Sequence, residues 1–159
     1  MTPYESPWMD DDLRMLREAV SRFVETEMLP HEPRWRAQHH VDRDIWRAVG
    51  GAGFLLMDVP SDFGGGGGDF RHEAVLYEEC NRRGISGFGQ GVHSIAAHYV
   101  LNYGTEEQKQ RWLPRMASGE LIGAIAMTEP GAGSDLKGIR TRAVREGGEY
   151  VVNGSKIFI

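Results

Sequence analysis

A single cysteine, Cys80, in 159 residues leaves no partner for an internal disulfide, a thiolate metal cage or a dithiol redox pair. That predicts a reducing compartment, the cytoplasm. Runs of Lys or Arg are also missing. With 18 basic against 23 acidic residues the net charge is -5, which argues against nucleic acid as a partner. No stretch approaches the roughly 20 apolar residues of a membrane span. The opening residues, Met1 to Leu13, hold three consecutive aspartates and neither a cationic nor an apolar leader segment, so secretion is not expected. Repeats of roughly 20 to 50 residues, Walker A, HExxH and GxSxG are absent as well, which speaks against solenoids, P-loop enzymes, zincins and α/β-hydrolases. What remains is ordinary globular usage, 40% hydrophobic and 26% charged, at a length that suits about one domain.

Glycine is over-represented, at 21 residues where the usual share of about 7% would give roughly half as many. Its placement punctuates a series of helical patterns. From Asp10 to Met28, Leu13, Leu16, Val20, Phe23 and Val24 recur at steps of three and four, an amphipathic stripe that Pro30 and Pro33 should end or bend. Asp42 is placed to cap a short helix through Ile45, Trp46 and Val49, with Gly50, Gly51 and Gly53 as C-cap candidates. A helix opening at Asp69 runs through Ala74, Tyr77 and Cys80 towards Gly84. Val92, Ile95, Ala96, Tyr99 and Tyr103 stripe a further helix that closes at Gly104. Thr105 and Gln108 form a capping box for the next, which carries Trp112 and Met116, kinks at Pro114 and stops at Gly119. Residues 1–119 therefore read as an all-helical N-terminal domain.

The period changes after that point. Leu121 to Met127 is a short apolar run without a helical stripe, and Gly147-Gly148 and Asn153-Gly154 are hairpin-turn signals around Tyr150 to Val152. Lys156 to Ile159 begins another strand. The fold class is thus α+β, with residues 120–159 the first strands of an antiparallel β-domain. A last strand with nothing to complete its sheet suggests a truncated piece of a longer protein.

Most polar clusters have an ordinary explanation. Gly64 to Gly68 lacks the Lys-Ser/Thr of a phosphate cradle and reads as a flexible surface loop. His39 with His40, and His93 with His98, do not share the i, i+4 face of a zinc helix, so no metal site is expected. Cys80 sits in a helical stripe as a small core residue. The segment Ala126-Met127-Thr128-Glu129-Pro130-Gly131-Ala132-Gly133-Ser134-Asp135 differs from these. Pro130 presets a turn, Gly131 and Gly133 let backbone N–H groups approach a ligand, and Thr128 and Ser134 add hydroxyls. Leu136 stands where a Rossmann fingerprint would need its third glycine, and no βαβ pattern surrounds it. The residues alone leave a ligand loop and a plain Pro-Gly turn both open.

The stretch from Ile122 to Ile159, IGAIAMTEPGAGSDLKGIRTRAVREGGEYVVNGSKIFI, resembles the signature region of the acyl-CoA dehydrogenase family, closest in wording to its long-chain branch. Asp62-Phe63-Gly64-Gly65, Tyr77-Glu78-Glu79 and Tyr103-Gly104-Thr105-Glu106-Glu107-Gln108 resemble it too. The resemblance implies FAD as cofactor and α,β-dehydrogenation of an acyl-CoA thioester to the trans-2-enoyl-CoA. A glutamate base takes the α-proton in that reaction, and no glutamate of this chain matches its position, so it is expected beyond Ile159 with the C-terminal helical bundle. By the same match Ile125, Ala126, Met127, Thr128, Gly133, Ser134 and Phe158 contact the cofactor, and Ser134, His93, Ser94 and Ala97 the substrate. A medium-to-long acyl chain, electron-transfer flavoprotein as acceptor and a homotetramer are implied as well. The alternatives are an acyl-CoA oxidase or flavin monooxygenase of the same fold, or a non-catalytic helical interaction fragment.

Overall fold

The computed structural model describes residues 5–159 and divides into two compact units, one running to Gly123 and the other spanning Ala124–Ile159. The reading of the first residues as leaderless falls partly on residues 1–4, outside the described residues. No helix among the described residues is long and apolar enough to cross a membrane.

The first unit is helical: α1 (Asp11–Phe23), α2 (Glu32–Gln38), α3 (Arg43–Gly51), α4 (Phe70–Arg82), α5 (Gln90–Tyr103) and α6 (Glu106–Ala117). Local signals start three of them. Asp10 accepts from the Leu13 amide at 2.9 Å, Asp69 accepts from the Arg71 amide at 2.9 Å, and Thr105 and Gln108 close the expected reciprocal box. Two apolar clusters hold the helices together. One gathers Leu13, Val20, Trp35, Val49 and Leu76; the other gathers Leu56, Val59, Ala97 and Leu113. Complete burial of such a side chain contributes about 1.5–3 kcal/mol against chain entropy. Gly50 and Gly119 let α3 and the end of α6 meet: a Cβ on Gly50 would lie 2.4 Å from the Ser118 carbonyl carbon, and one on Gly119 would lie 2.1 Å from the Trp46 oxygen.

Several expectations change at this level. Pro30 and Pro33 do not end the first helix. The chain widens into a π-helical turn over Val24–Met28, tightens into a 3₁₀ turn over Leu29–His31 and continues directly as α2, where Pro33 lies in the first turn and needs no donor. Asp42 occupies the N-cap position of α3 without capping it, because its carboxylate is used by Trp35 Nε1 at 2.9 Å, by Gln38 and by Arg34. Of the three glycines expected to cap α3, only Gly53 has positive φ, and the C-cap itself is Ala52. Gly64 to Gly68 is not a loose loop: the amides of Gly65, Gly66, Gly67 and Gly68 donate back to Pro60, Leu56, Val59 and Met57. With those N–H groups turned inward, the loop offers no anion cradle either.

The stripe expected to bury α5 is on its outside. Val92, Ile95 and Tyr99 are about half exposed and Tyr103 is 82% exposed, while Gln90, His93, Ser94 and Ala97 form the buried i, i+3, i+4, i+7 face. His93 can occupy that face because both of its ring nitrogens find partners, and Ala97 can because it is small enough for close packing.

In the second unit, β1 (Arg142–Glu146) and β2 (Glu149–Asn153) pair antiparallel, with Val144 opposite Val151 and Ala143 opposite Val152. Gly147, at φ +63°, makes the two-residue turn with Gly148, as the dipeptide predicts. The strand expected over Leu121 to Met127 is irregular chain without a ladder, and Lys156 to Ile159 is likewise not a strand. Among the described residues neither segment joins a β-ladder; the Lys156 side chain and one backbone bond, from the Ile157 amide to Thr128 O, anchor the latter instead.

Candidate functional site

Ile125, Ala126, Met127 and Thr128 lead into a tight turn in which Glu129 and Ala132 exchange both backbone hydrogen bonds, at 2.9 and 3.0 Å. Among the described residues the amides of Ile125 to Thr128 donate to nothing. The carbonyls behave differently: Met127 O accepts from Lys156 Nζ at 2.9 Å, and Thr128 O accepts from the Ile157 amide at 3.0 Å. The Met127 and Thr128 carbonyls are thus bonded within the unit, while the amides of Ile125 to Thr128 remain undonated among the described residues. Gly133 and Ser134 are exposed beyond the turn, and a Cβ built on Gly133 would meet nothing within 4 Å. Phe158 is 88% exposed, in the left-handed region at φ +57°, an uncommon place for a bulky side chain.

Glu129 is the polar centre of this unit. It is buried, and its carboxylate accepts from the Arg140 amide at 2.7 Å, the Thr141 amide at 3.0 Å and Lys156 Nζ at 3.0 Å. Hydrogen bonding from Thr141 and Arg140, aided by the Lys156 ammonium, holds its pKa down at about 2. It therefore stays ionised near neutrality, but its low pKa and the three donors on its oxygens make it a poor base. The sequence reading treated Glu129 only as part of the turn and gave Lys156 no role. A lone carboxylate inside a Pro-Gly turn, with a lysine shortly before the end of the apolar tail, was the available signal.

The expected substrate residues lie on α5 in the helical unit. His93 Nδ1 accepts from the Gly123 amide at 2.9 Å, and Nε2 lies 3.2 Å from Met116 O, so the ring bridges two backbone groups. Burial lowers its pKa, which keeps it neutral. Ala97 is completely buried. Ser94 lines an apolar pocket of about 450 Å³ together with Phe70, Tyr77, Ile95, Tyr99 and Tyr103. Asp58, bonded to His98 at 2.9 Å, also lines it. Burial pushes the neighbouring Glu73 and Tyr77 upward. Cys80, pushed up to about 12 by burial, is an inert core thiol. No three His, Cys, Asp or Glu side chains cluster as a metal site among the described residues.

A helical domain followed by an antiparallel hairpin, with undonated amides ahead of a Pro-Gly turn, defines an α+β protein of the acyl-CoA dehydrogenase fold. Residues 10–120 match the acyl-CoA dehydrogenase N-terminal domain and residues 124–159 its middle domain, so the chain belongs to the acyl-CoA dehydrogenase family. It is 44% identical over 146 residues to the mitochondrial long-chain specific acyl-CoA dehydrogenase of Mus musculus, covering 91% of this chain and 34% of that protein. The crystal structure of an acyl-CoA dehydrogenase from Geobacillus kaustophilus superposes with a TM-score of 0.89 at 44% identity, over 96% of this chain and 40% of that one. One from Bacillus anthracis, described as complexed with FAD, gives 0.85 at 34% identity over 96% of this chain and 27% of that one. The chain spans about a third of the length of the curated relatives it matches.

Proposed function

We propose that this chain contributes the helical and flavin-facing portion of an FAD-dependent acyl-CoA dehydrogenase that converts an acyl-CoA thioester to its trans-2-enoyl-CoA. The observation that carries this reading is the run of undonated amides from Ile125 to Thr128, in a segment whose Met127 and Thr128 carbonyls are bonded within the unit. Undonated amides suit the acceptors of a flavin's pyrimidine ring, and the open space beside Gly133 leaves room for a phosphate or the acyl-CoA. Ile125, Ala126 and Met127 would follow the ring, Thr128 would donate near its reactive edge, and Gly133 and Ser134 would meet the pyrophosphate or substrate. The exposed Phe158 would lie beside the isoalloxazine and lose its water contact there. FAD, when bound, supplies a two-electron acceptor for the β-hydrogen leaving as hydride. This chain's part would be orientation and exclusion of water, with the glutamate base expected outside its 159 residues.

On α5, Ser94 would face the acyl chain while His93 and Ala97 shape the wall from behind. Small side chains there leave room for further methylenes, each contributing about 0.8 kcal/mol when buried, which favours medium-to-long acyl groups. Electron-transfer flavoprotein as acceptor, a homotetrameric assembly and a cytoplasmic setting complete the reading, the last supported by a lone buried cysteine.

The test is a chimera in which these residues replace the matching portion of the Geobacillus kaustophilus enzyme. In it, Thr128→Ala should weaken FAD retention or shift the flavin potential by the equivalent of about 1–3 kcal/mol, through an acceptor left unpaired. Unchanged affinity, potential and turnover would assign Thr128 to the turn alone. A kcat/KM that peaks at four carbons would overturn the chain-length reading.

A further inference from the structure

We propose that Lys156 and Glu129 are positioning residues that aim the Thr128 backbone N–H at the cofactor, an inference that rests on the flavin reading above. A trans peptide is planar, and its C=O and N–H point in opposite directions. Met127 O and the Thr128 N–H belong to one such unit. Lys156 Nζ, 2.9 Å from Met127 O, therefore fixes the direction in which the Thr128 N–H points. The ammonium also polarises that peptide, which makes the opposite N–H a stronger donor. Glu129 Oε1, 3.0 Å from the same ammonium, holds it in place, and the Arg140 and Thr141 amides hold Glu129. The Ile157 amide on Thr128 O fixes the next peptide plane in the same way. Four separate points of the chain, at 127–129, 132, 140–141 and 156–157, are thereby tied around a segment whose amides are left undonated. The hairpin needs none of these bonds, since its register is set by its own ladder and turn.

The sequence carries the components without showing the arrangement. Lys156 lies 27 residues from Glu129, and no local pattern links them. Either side chain could equally have been a solvated charge.

The test uses Lys156→Met, Lys156→Arg and Glu129→Gln in both the 159-residue chain and the FAD-loaded chimera. Lys156→Met should weaken FAD retention about tenfold, the loss expected for one charge-assisted hydrogen bond, and should shift the flavin absorption band and reduction potential. Lys156→Arg should restore retention to within about threefold of wild type, since the cation is kept. In the isolated chain, amide exchange should show the hairpin amides of Arg142 to Asn153 unchanged in all three variants and the Ile157 amide less protected in Lys156→Met. Unaltered flavin spectrum, potential and FAD retention in Lys156→Met would overturn the proposal, as would an Arg variant as impaired as Met. Should Lys156→Met fail to fold, Glu129→Gln is read by the same flavin signals, and a wild-type spectrum in that variant overturns the proposal. A folded wild-type chimera that binds no FAD sinks the underlying flavin reading, whereas FAD bound equally by wild type and variants sinks only the aiming role.

Discussion

The helical unit and the Ala124–Ile159 unit are stabilised in different ways. The first buries two apolar clusters and uses polar groups as caps and bridges. The second buries only Glu129 and Ala132, and every residue of its hairpin strands is exposed. Its order comes from a ladder, a glycine turn and one carboxylate. Apolar burial is non-directional and tolerates change at many points, whereas a hydrogen-bonded knot depends on a few groups and can hold a backbone edge at a defined angle. The unit with the least apolar core is the one assigned to the cofactor.

That contrast can be broken at its strong end. Leu76 is completely buried, and Leu76→Ala should lower the stability of the helical unit by about 2–5 kcal/mol, read from thermal or urea melts by far-ultraviolet circular dichroism. A loss below 1 kcal/mol would show that the cluster is not closely packed. Gly119→Ala comes next. Its positive φ and the 2.1 Å approach of a Cβ to Trp46 O predict a loss of roughly 1–3 kcal/mol in the same melts.

Acid should separate the two units. His93 has a pKa below its ordinary 6.5, so the unfolded chain takes up the proton first. Its contribution is present above pH 6.5 and is lost as pH falls below that value, with a slope limited to about 1.4 kcal/mol per pH unit. Glu129, held at about 2 against an ordinary 4.5, contributes above pH 4.5 and loses that contribution only as pH falls from there towards 2. Burial raises Glu73, which gives an opposing trend, so the His93 effect is isolated as the difference between wild type and His93→Gln. That difference should vary between pH 7 and 5 while the protection factors of the Arg140 and Thr141 amides, their exchange rates corrected for the intrinsic pH dependence, stay constant. A pH-independent difference would place the His93 proton elsewhere. The smallest effect should come from Tyr150→Ala. Its side chain is 69% exposed on β2, and its removal should alter stability by less than about 0.5 kcal/mol in the same melts.

Short-range signals were legible in the sequence. The Thr105-Gln108 box, the start at Asp69 and the Gly147-Gly148 turn depend on neighbours a few positions apart, and all three form. The orientation of α5 was not legible, because an apolar stripe of Val92, Ile95, Tyr99 and Tyr103 outscores one containing Gln90, His93 and Ser94. Only the distant Met116 carbonyl and Gly123 amide make His93 suitable for burial. Thr128, Gly133 and Ser134 stood out by residue type and by family resemblance. Glu129 and Lys156 did not, since their meaning lies in bonds to 140–141 and 127.

The central claim is that the undonated amides of Ile125 to Thr128 hold a flavin, and FAD stoichiometry in the Geobacillus kaustophilus chimera tests it most directly. The account predicts a folded, yellow protein carrying one FAD per chain, with retention lowered by Thr128→Ala. A chimera with native circular dichroism and assembly that purifies colourless, and stays so in excess FAD, would contradict it.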